Sequence, residues 1–260
     1  MAVAPVPPVP TSPTSSAPVP VAPPLSEGAR LLNTFIAPSK TFTDLRRSAM
    51  WWGPFILLAI VWAAFTYTVE KKVGYRKITE DQIQMVPKAA DRFEKLPAGE
   101  QEKQLVARTK GTLYFSYAKS VLRIGWFALI ALVLFATFKL AAGSDVSYKH
   151  SLAVVVYASL PMVIQLILGI ASLLAGMSSD NYSPDVPIAT NPAYFMNPAD
   201  SLVRYSLAAP FDLFAIWTLV LTAVGFTCVS KTKLGTALAI VFGWYVALCL
   251  MGVAIAAAFS

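Results

Sequence analysis

LGTALAIVFGWYVALCLMGVAIAAAFS, residues 234–260, runs for 27 residues without one charged side chain. A hydrocarbon core about 30 Å thick needs roughly 20 helical residues at about 1.5 Å each. Inside it only helices or closed barrels satisfy their own backbone. Working back along the chain, Leu213–Ser230 gives 18 such residues, Ser151–Ser179 gives 29 and Trp51–Val69 gives 19. A fifth block is shorter: 15 uncharged residues, Ile124–Phe138, between Arg123 and Lys139. Those two cations can snorkel to opposite interfaces, so this block also reads as a span. The apolar residues come in blocks rather than in the period-two alternation of a barrel, so the class is all-α. The expected architecture is a polytopic helical membrane protein with spans at about 51–69, 118–142, 151–177, 211–228 and 234–259.

Composition agrees. Hydrophobic residues make up 56% and charged residues 13%, against about a quarter charged in soluble domains. The net charge of +7 does not point to nucleic acid, because the basic residues border spans, where anionic headgroups are the nearer partner. Cys228 and Cys249 fall in apolar helices with no metal or disulfide spacing. Nine prolines among the first 24 residues make 1–28 a disordered Pro-rich tail. It lacks the basic and apolar regions of a signal peptide, so the first span is expected to act as an uncleaved anchor.

Between the tail and Trp51, Ser26 is placed to cap a short helix through Leu31 and Phe35. Pro38 should break it, and Ser39 should cap a second turn through Phe42 and Leu45. With Lys40, Arg46, Arg47, Trp51 and Trp52 this forms a basic amphipathic stub suited to the interface of an anionic bilayer. Residues 70–112 form the one sizeable polar stretch, read as amphipathic helices broken at Pro87 and Pro97, the last running into the second span. In the next long connection, Asn197 as cap and Pro198 at the first helical position predict a helix to about Leu207. Charge counting leaves orientation open. Twelve basic residues lie in Lys71–Arg123, whereas the tight connection after Cys228 carries Lys231 and Lys233.

Chemistry leaves few traces. His150 is the single histidine and stands at a helix mouth with no nucleophile turn. Asp212, two residues after Pro210, suits a helix N-terminus. Phosphate loops, zinc motifs and cysteine–histidine clusters are missing from the sequence, so no catalytic, cofactor-binding or metal-ligating residue is assigned. A small transporter is the competing class, with Pro161, Gln165 and Asp212 near a polar path. An intramembrane enzyme built on Asp212 or His150 is the third. Gly235, Ala239, Gly243 and Ala247 repeat at four-residue steps and form a small-residue stripe, read as a helix-packing face within the bundle or against a second copy.

These pieces, in order, resemble a known family. Phe35-Ile36-Ala37-Pro38 and Phe42 precede Trp51-Trp52-Gly53-Pro54-Phe55 at the mouth of the first of five spans. Tyr157-Ala158-Ser159-Leu160-Pro161 follows in the third, and Phe211-Asp212-Leu213-Phe214-Ala215-Ile216-Trp217 opens the fourth. Residues 29–259 are similar to the Yip domain of small Rab-GTPase-interacting membrane proteins, and specifically to its bacterial branch. Met50 and Trp51 stand where the family has aspartate and leucine. The resemblance implies a five-helix fold in a bacterial cytoplasmic membrane, its N-terminus in the cytoplasm and its C-terminus outside. Phe35, Pro38, Phe42, Trp52, Gly53, Pro54, Tyr157, Pro161, Asp212 and Trp217 become the motif or interface candidates. Eukaryotic relatives shape membranes and recruit small GTPases in vesicle traffic. The expected role is therefore a non-enzymatic scaffold that organises membrane or recruits a partner, a protein or a second copy.

Overall fold

The computed structural model describes residues 23–177, 182–197 and 200–259. The tail reading falls mostly outside them. Its boundary at 28 moves inward, since Glu27 already opens a helix and Leu25 donates its N–H to Asp44 at 3.4 Å. Every regular element described is helical, and five helices are long and apolar enough to span a bilayer.

The chain opens with α1 (Glu27–Ile36) and α2 (Pro38–Asp44). Ser26 caps α1 as expected, accepting from the Ala29 N–H at 3.3 Å. Pro38 does not merely break the chain. It is the first residue of α2, a position where its missing N–H costs nothing and its fixed φ already suits a helix, so Ser39 is not the cap. The first span is α3 (Trp52–Lys72), which ends on Lys71 and Lys72, favourable charges at the negative end of the helix dipole. Gly74, at φ +85°, turns the chain sharply into α4 (Tyr75–Gln84).

α5 (Pro87–Glu94) follows, and Pro97 precedes α6 (Ala98–Leu140). At 43 residues and about 1.5 Å per residue, α6 is roughly 65 Å long, twice what a bilayer needs. Its first half pairs with α4 and its second half crosses the membrane. Breaks thus fall at Pro87 and Pro97, and the last of the polar helices continues into the second span as one unbroken rod. Arg76 bridges α4 to α6 with two bonds to Glu102, at 2.8 and 2.7 Å. Both partners are half-exposed, so the link sets geometry more than stability.

The third span is broken into α7 (Tyr148–Ala158) and α8 (Pro161–Leu174). Pro161 cannot donate to the ladder, so the chain turns once through Ser159 and Leu160 before α8 begins. Two more spans close the bundle: α10 (Leu213–Ser230), after the short α9 (Leu202–Ala208), and α11 (Leu234–Phe259). α9 starts later than the Asn197 reading placed it. Ser201, whose Oγ accepts from the Arg204 N–H at 3.3 Å, is the cap. Pro198 lies outside the described residues.

The core sits around α7. All of its residues from Ser151 to Ala158 are buried, enclosed mainly by α6 and α10, with α1 and α3 at its edges. Phe138 of α6 and Phe226 of α10 stack at 4.1 Å between ring centres within this core. A second cluster, with Phe65, Val69, Tyr75, Ile78 and Leu173, joins the far ends of α3 and α8 to α4. Because α3, α7 and α11 start, and α6 and α10 end, beside the α1–α2 segment, those termini define one face of the membrane.

Candidate functional site

The conspicuous construction lies where the N-terminal segment meets that face. α1 and α2 fold back on each other across Ala37, and the resulting hairpin packs on α7 and α10. Its apolar anchor is Phe42, fully buried. A methyl group added at Gly225 of α10 would meet Phe42 ring carbons at 3.1 Å and would also crowd Val154 of α7. The glycine is therefore what lets three helices close on one ring. Phe35 of α1 meets Trp217 of α10 edge-on, 5.9 Å between centres. The stub expected to rest on lipid thus turns Phe42 and Leu45 into the protein, because a groove between spans buries them more completely than an interface would.

Beneath the hairpin runs a chain of polar contacts. Arg30 places Nε and Nη2 at 2.8 and 2.7 Å from Asp44 Oδ2. Its Nη1 lies 3.7 Å from Glu27 Oε2. The other Glu27 oxygen accepts from the Tyr157 hydroxyl at 2.5 Å, across 130 residues of sequence. Thr34 and Thr41 both donate to the Arg30 carbonyl, at 2.8 and 2.9 Å. Burial acts to lower the Arg30 pKa, but the hydrogen bond and charge of Asp44 outweigh it and leave the pKa raised. The guanidinium therefore stays cationic at 4% exposure. At Gly53, in the first turn of α3, any Cβ would collide with the Glu27 carboxylate. That glycine admits the carboxylate to a helix N-terminus, where negative charge is favoured.

Five candidates from the sequence, Phe35, Phe42, Gly53, Tyr157 and Trp217, thus converge on the hairpin. Pro38 sets its turn, and Pro54 is buried in the first turn of α3. Trp52 is half-exposed on the outer surface of the bundle, as a lipid-facing belt residue should be. The partners that the sequence reading missed are Glu27, Arg30, Asp44 and Gly225. Their one available signal was two opposite charges three apart on a helix face otherwise built of Leu31, Thr34 and Phe35.

Asp212 and Pro161 lie elsewhere. Asp212 caps α10 through bonds from the Phe214 and Ala215 N–H groups, at 2.9 and 3.1 Å. Its second oxygen accepts from Gln165 at 3.1 Å and Thr190 at 3.2 Å. The first two bonds cap α10, and the other two tie α8 and the preceding connection to it. Arg123 does not run along α6 to an interface as expected. Its guanidinium lies 3.7 Å over the Trp62 ring, with Nη1 3.8 Å from Met162 Sδ. The ring's negative face offers the cation a partner inside the bundle. Gly235, Ala239, Gly243 and Ala247 are exposed, and Gly235 and Gly243 have open space where a Cβ would stand. The stripe therefore packs against no helix among the described residues; α11 meets its neighbours through Ala237 and Val241 instead. Among the described residues no group of His, Cys, Asp or Glu is arranged to hold a metal.

A five-span helical bundle with an N-terminal hairpin sealed onto its third and fourth spans defines an integral multi-pass membrane protein. The Yip1 domain matches residues 32–256, nearly the whole bundle, and the chain belongs to that family. Nothing matches it among curated proteins or among solved structures.

Proposed function

We propose that the protein is a non-enzymatic scaffold that organises membrane or recruits a partner, with the docked α1–α2 hairpin as its platform. The observation that carries this reading is the Asp44–Arg30–Glu27–Tyr157 chain. Each member is occupied by another, so it holds a rigid surface rather than a reactive group. A buried ion pair adds little net stability but fixes one arrangement over others. The hairpin's outer side leaves Leu32 and Ile36 exposed, large apolar side chains for a lipid or protein contact.

The carrier reading rests on Gln165 and Asp212, and their mutual bond speaks against it. A carboxylate engaged by four donors offers no vacant acceptor to a passing solute. Orientation belongs to the proposal too. The first turn of α7 carries Lys149 and the short connection after α10 carries Lys231 and Lys233, and short basic loops stay in the cytoplasm. We place the N-terminus there and the C-terminus outside.

Photo-crosslinkers at Leu32 and Ile36, compared with one at exposed Leu250, test the scaffold. A discrete adduct from the hairpin positions alone supports it. Adducts equal at all three sites, or solute flux in vesicles that Gln165→Leu abolishes, would overturn it. Reporter fusions after Thr68, Lys149, Arg204 and Ser260 test the topology.

A further inference from the structure

On the hairpin face, four elements enclose an open cleft of about 550 Å³. Arg46 enters from the turn after α2, Lys139 from the last turn of α6 and Lys231 from the residue after α10. His150 and Asp145, from the start of α7 and its lead-in, complete the polar rim. Three basic side chains thus stand beside one acidic one. Among the described residues, no salt bridge within 4 Å engages any of the three. His150 is fixed by its own partners, Nδ1 at 2.6 Å from Ser147 Oγ and Nε2 at 3.5 Å from the Arg46 carbonyl. The amino terminus of α7 adds its partial positive charge to the same rim.

Lys231 carries a second, separate signal. It is the single non-glycine residue with positive φ among the described residues, at φ 58°. It ends α10 where glycine is the usual choice, because a Cβ is disfavoured there. An ammonium at a position that backbone energetics would give to glycine is strain of the kind retained for a task.

The depth fits one class of ligand. Lys139 and Lys231 mark the ends of two spans, hence the level of the headgroups. Phe135, Val146 and Val229 supply the cleft's apolar floor, with Lys139 Nζ 5.4 Å from the centre of the Phe135 ring. Basic clefts between spans at this level suit phosphate-bearing headgroups. We infer that this cleft binds a phosphate group, carried by an anionic phospholipid whose glycerol and upper chain rest on the apolar floor. The inference needs only that the chain spans the bilayer, and it stands or falls apart from the scaffold reading.

Native mass spectrometry of the full-length protein, released from mixed micelles of phosphatidylcholine and phosphatidylglycerol, provides the test. Wild type should retain phosphatidylglycerol in preference. Lys231→Gly and Lys139→Ala should each weaken retention about fivefold, as about 1 kcal/mol per basic residue implies. Lys71→Ala, at the far end of α3, should leave it unchanged. Lys231→Gly also relieves the positive φ, so its melting temperature should equal or exceed that of wild type, separating lost binding from lost fold. Retention unchanged by Lys231→Gly, or no preference between the two lipids in wild type, would overturn the site. Calorimetry with inorganic phosphate in phosphatidylcholine nanodiscs separates the sources. Saturable heat that Lys231→Gly removes, with no lipid preference, would assign the cleft to free phosphate and overturn the phospholipid as carrier.

Discussion

The third and fifth spans are built from almost the same alphabet and meet opposite fates. In their most apolar stretches 67% of the third is buried inside the protein, against 6% of the fifth. Hydropathy placed both in lipid, and there its information ends, because a hydrocarbon chain is as apolar as a leucine. What separates them is shape. In α7 the short or β-branched Ala153, Val154, Val155, Val156 and Ala158 let α6 and α10 pack closely on it. α11 leaves Val246, Leu250, Met251 and Ile255 exposed among the described residues.

That contrast can be broken by substitution. Arg30→Ala should have the largest effect, stranding Asp44 and weakening the hold on α7. Loss of one partner from a buried pair costs about 3–5 kcal/mol, seen as a lower thermal midpoint of the purified protein and faster proteolysis near Ile36. Gly225→Ala pushes a methyl into Phe42 and Val154 and should cost about 1–3 kcal/mol by the same melting measurement. Tyr157→Phe removes one donor from the Glu27 carboxylate, and should cost a similar or slightly smaller ~1–3 kcal/mol. Restoration by a second change, Glu27→Gln, would sharpen the assignment.

On α11 the expected scale drops. Trp244 donates to Thr137 Oγ1 at 3.0 Å on an exposed surface, so Trp244→Phe should cost about 0.5–1.5 kcal/mol. Gly243→Leu should leave the melting of a monomer within about 0.5 kcal/mol of wild type. A large loss there would show that another helix covers this face after all, and chemical cross-linking in the membrane would identify it as a second copy or a partner.

How far the sequence reached follows the same line. The five charge-free blocks and the Ser26 and Asp212 caps were legible because each depends on residues within a few positions of one another. The Yip resemblance was legible too, through the order of short motifs. The Arg30–Asp44 pair was not, since residues fourteen apart meet only after Ala37 reverses the chain. Nor was the burial of Phe42. An amphipathic stub reads alike whether its apolar face meets lipid or a groove between helices, and only the facing Gly225 distinguishes the two. The stripe from Gly235 to Ala247 was legible as a face open to close approach, but not which helix meets it, for small residues permit close approach without requiring it.

The unbroken run of α6 has a mechanical consequence. One stiff rod is gripped by lipid along its lower half and bound to α4 along its upper half, with no hinge between. Spans tilt over a range of about 40° as bilayer thickness and packing change. A swing of some 10° about the midplane would carry the Glu100 end sideways by several ångströms and drag α4 with it. The polar segment is thereby tied to the tilt of the second span, because α4 is packed against the same helix that crosses the bilayer.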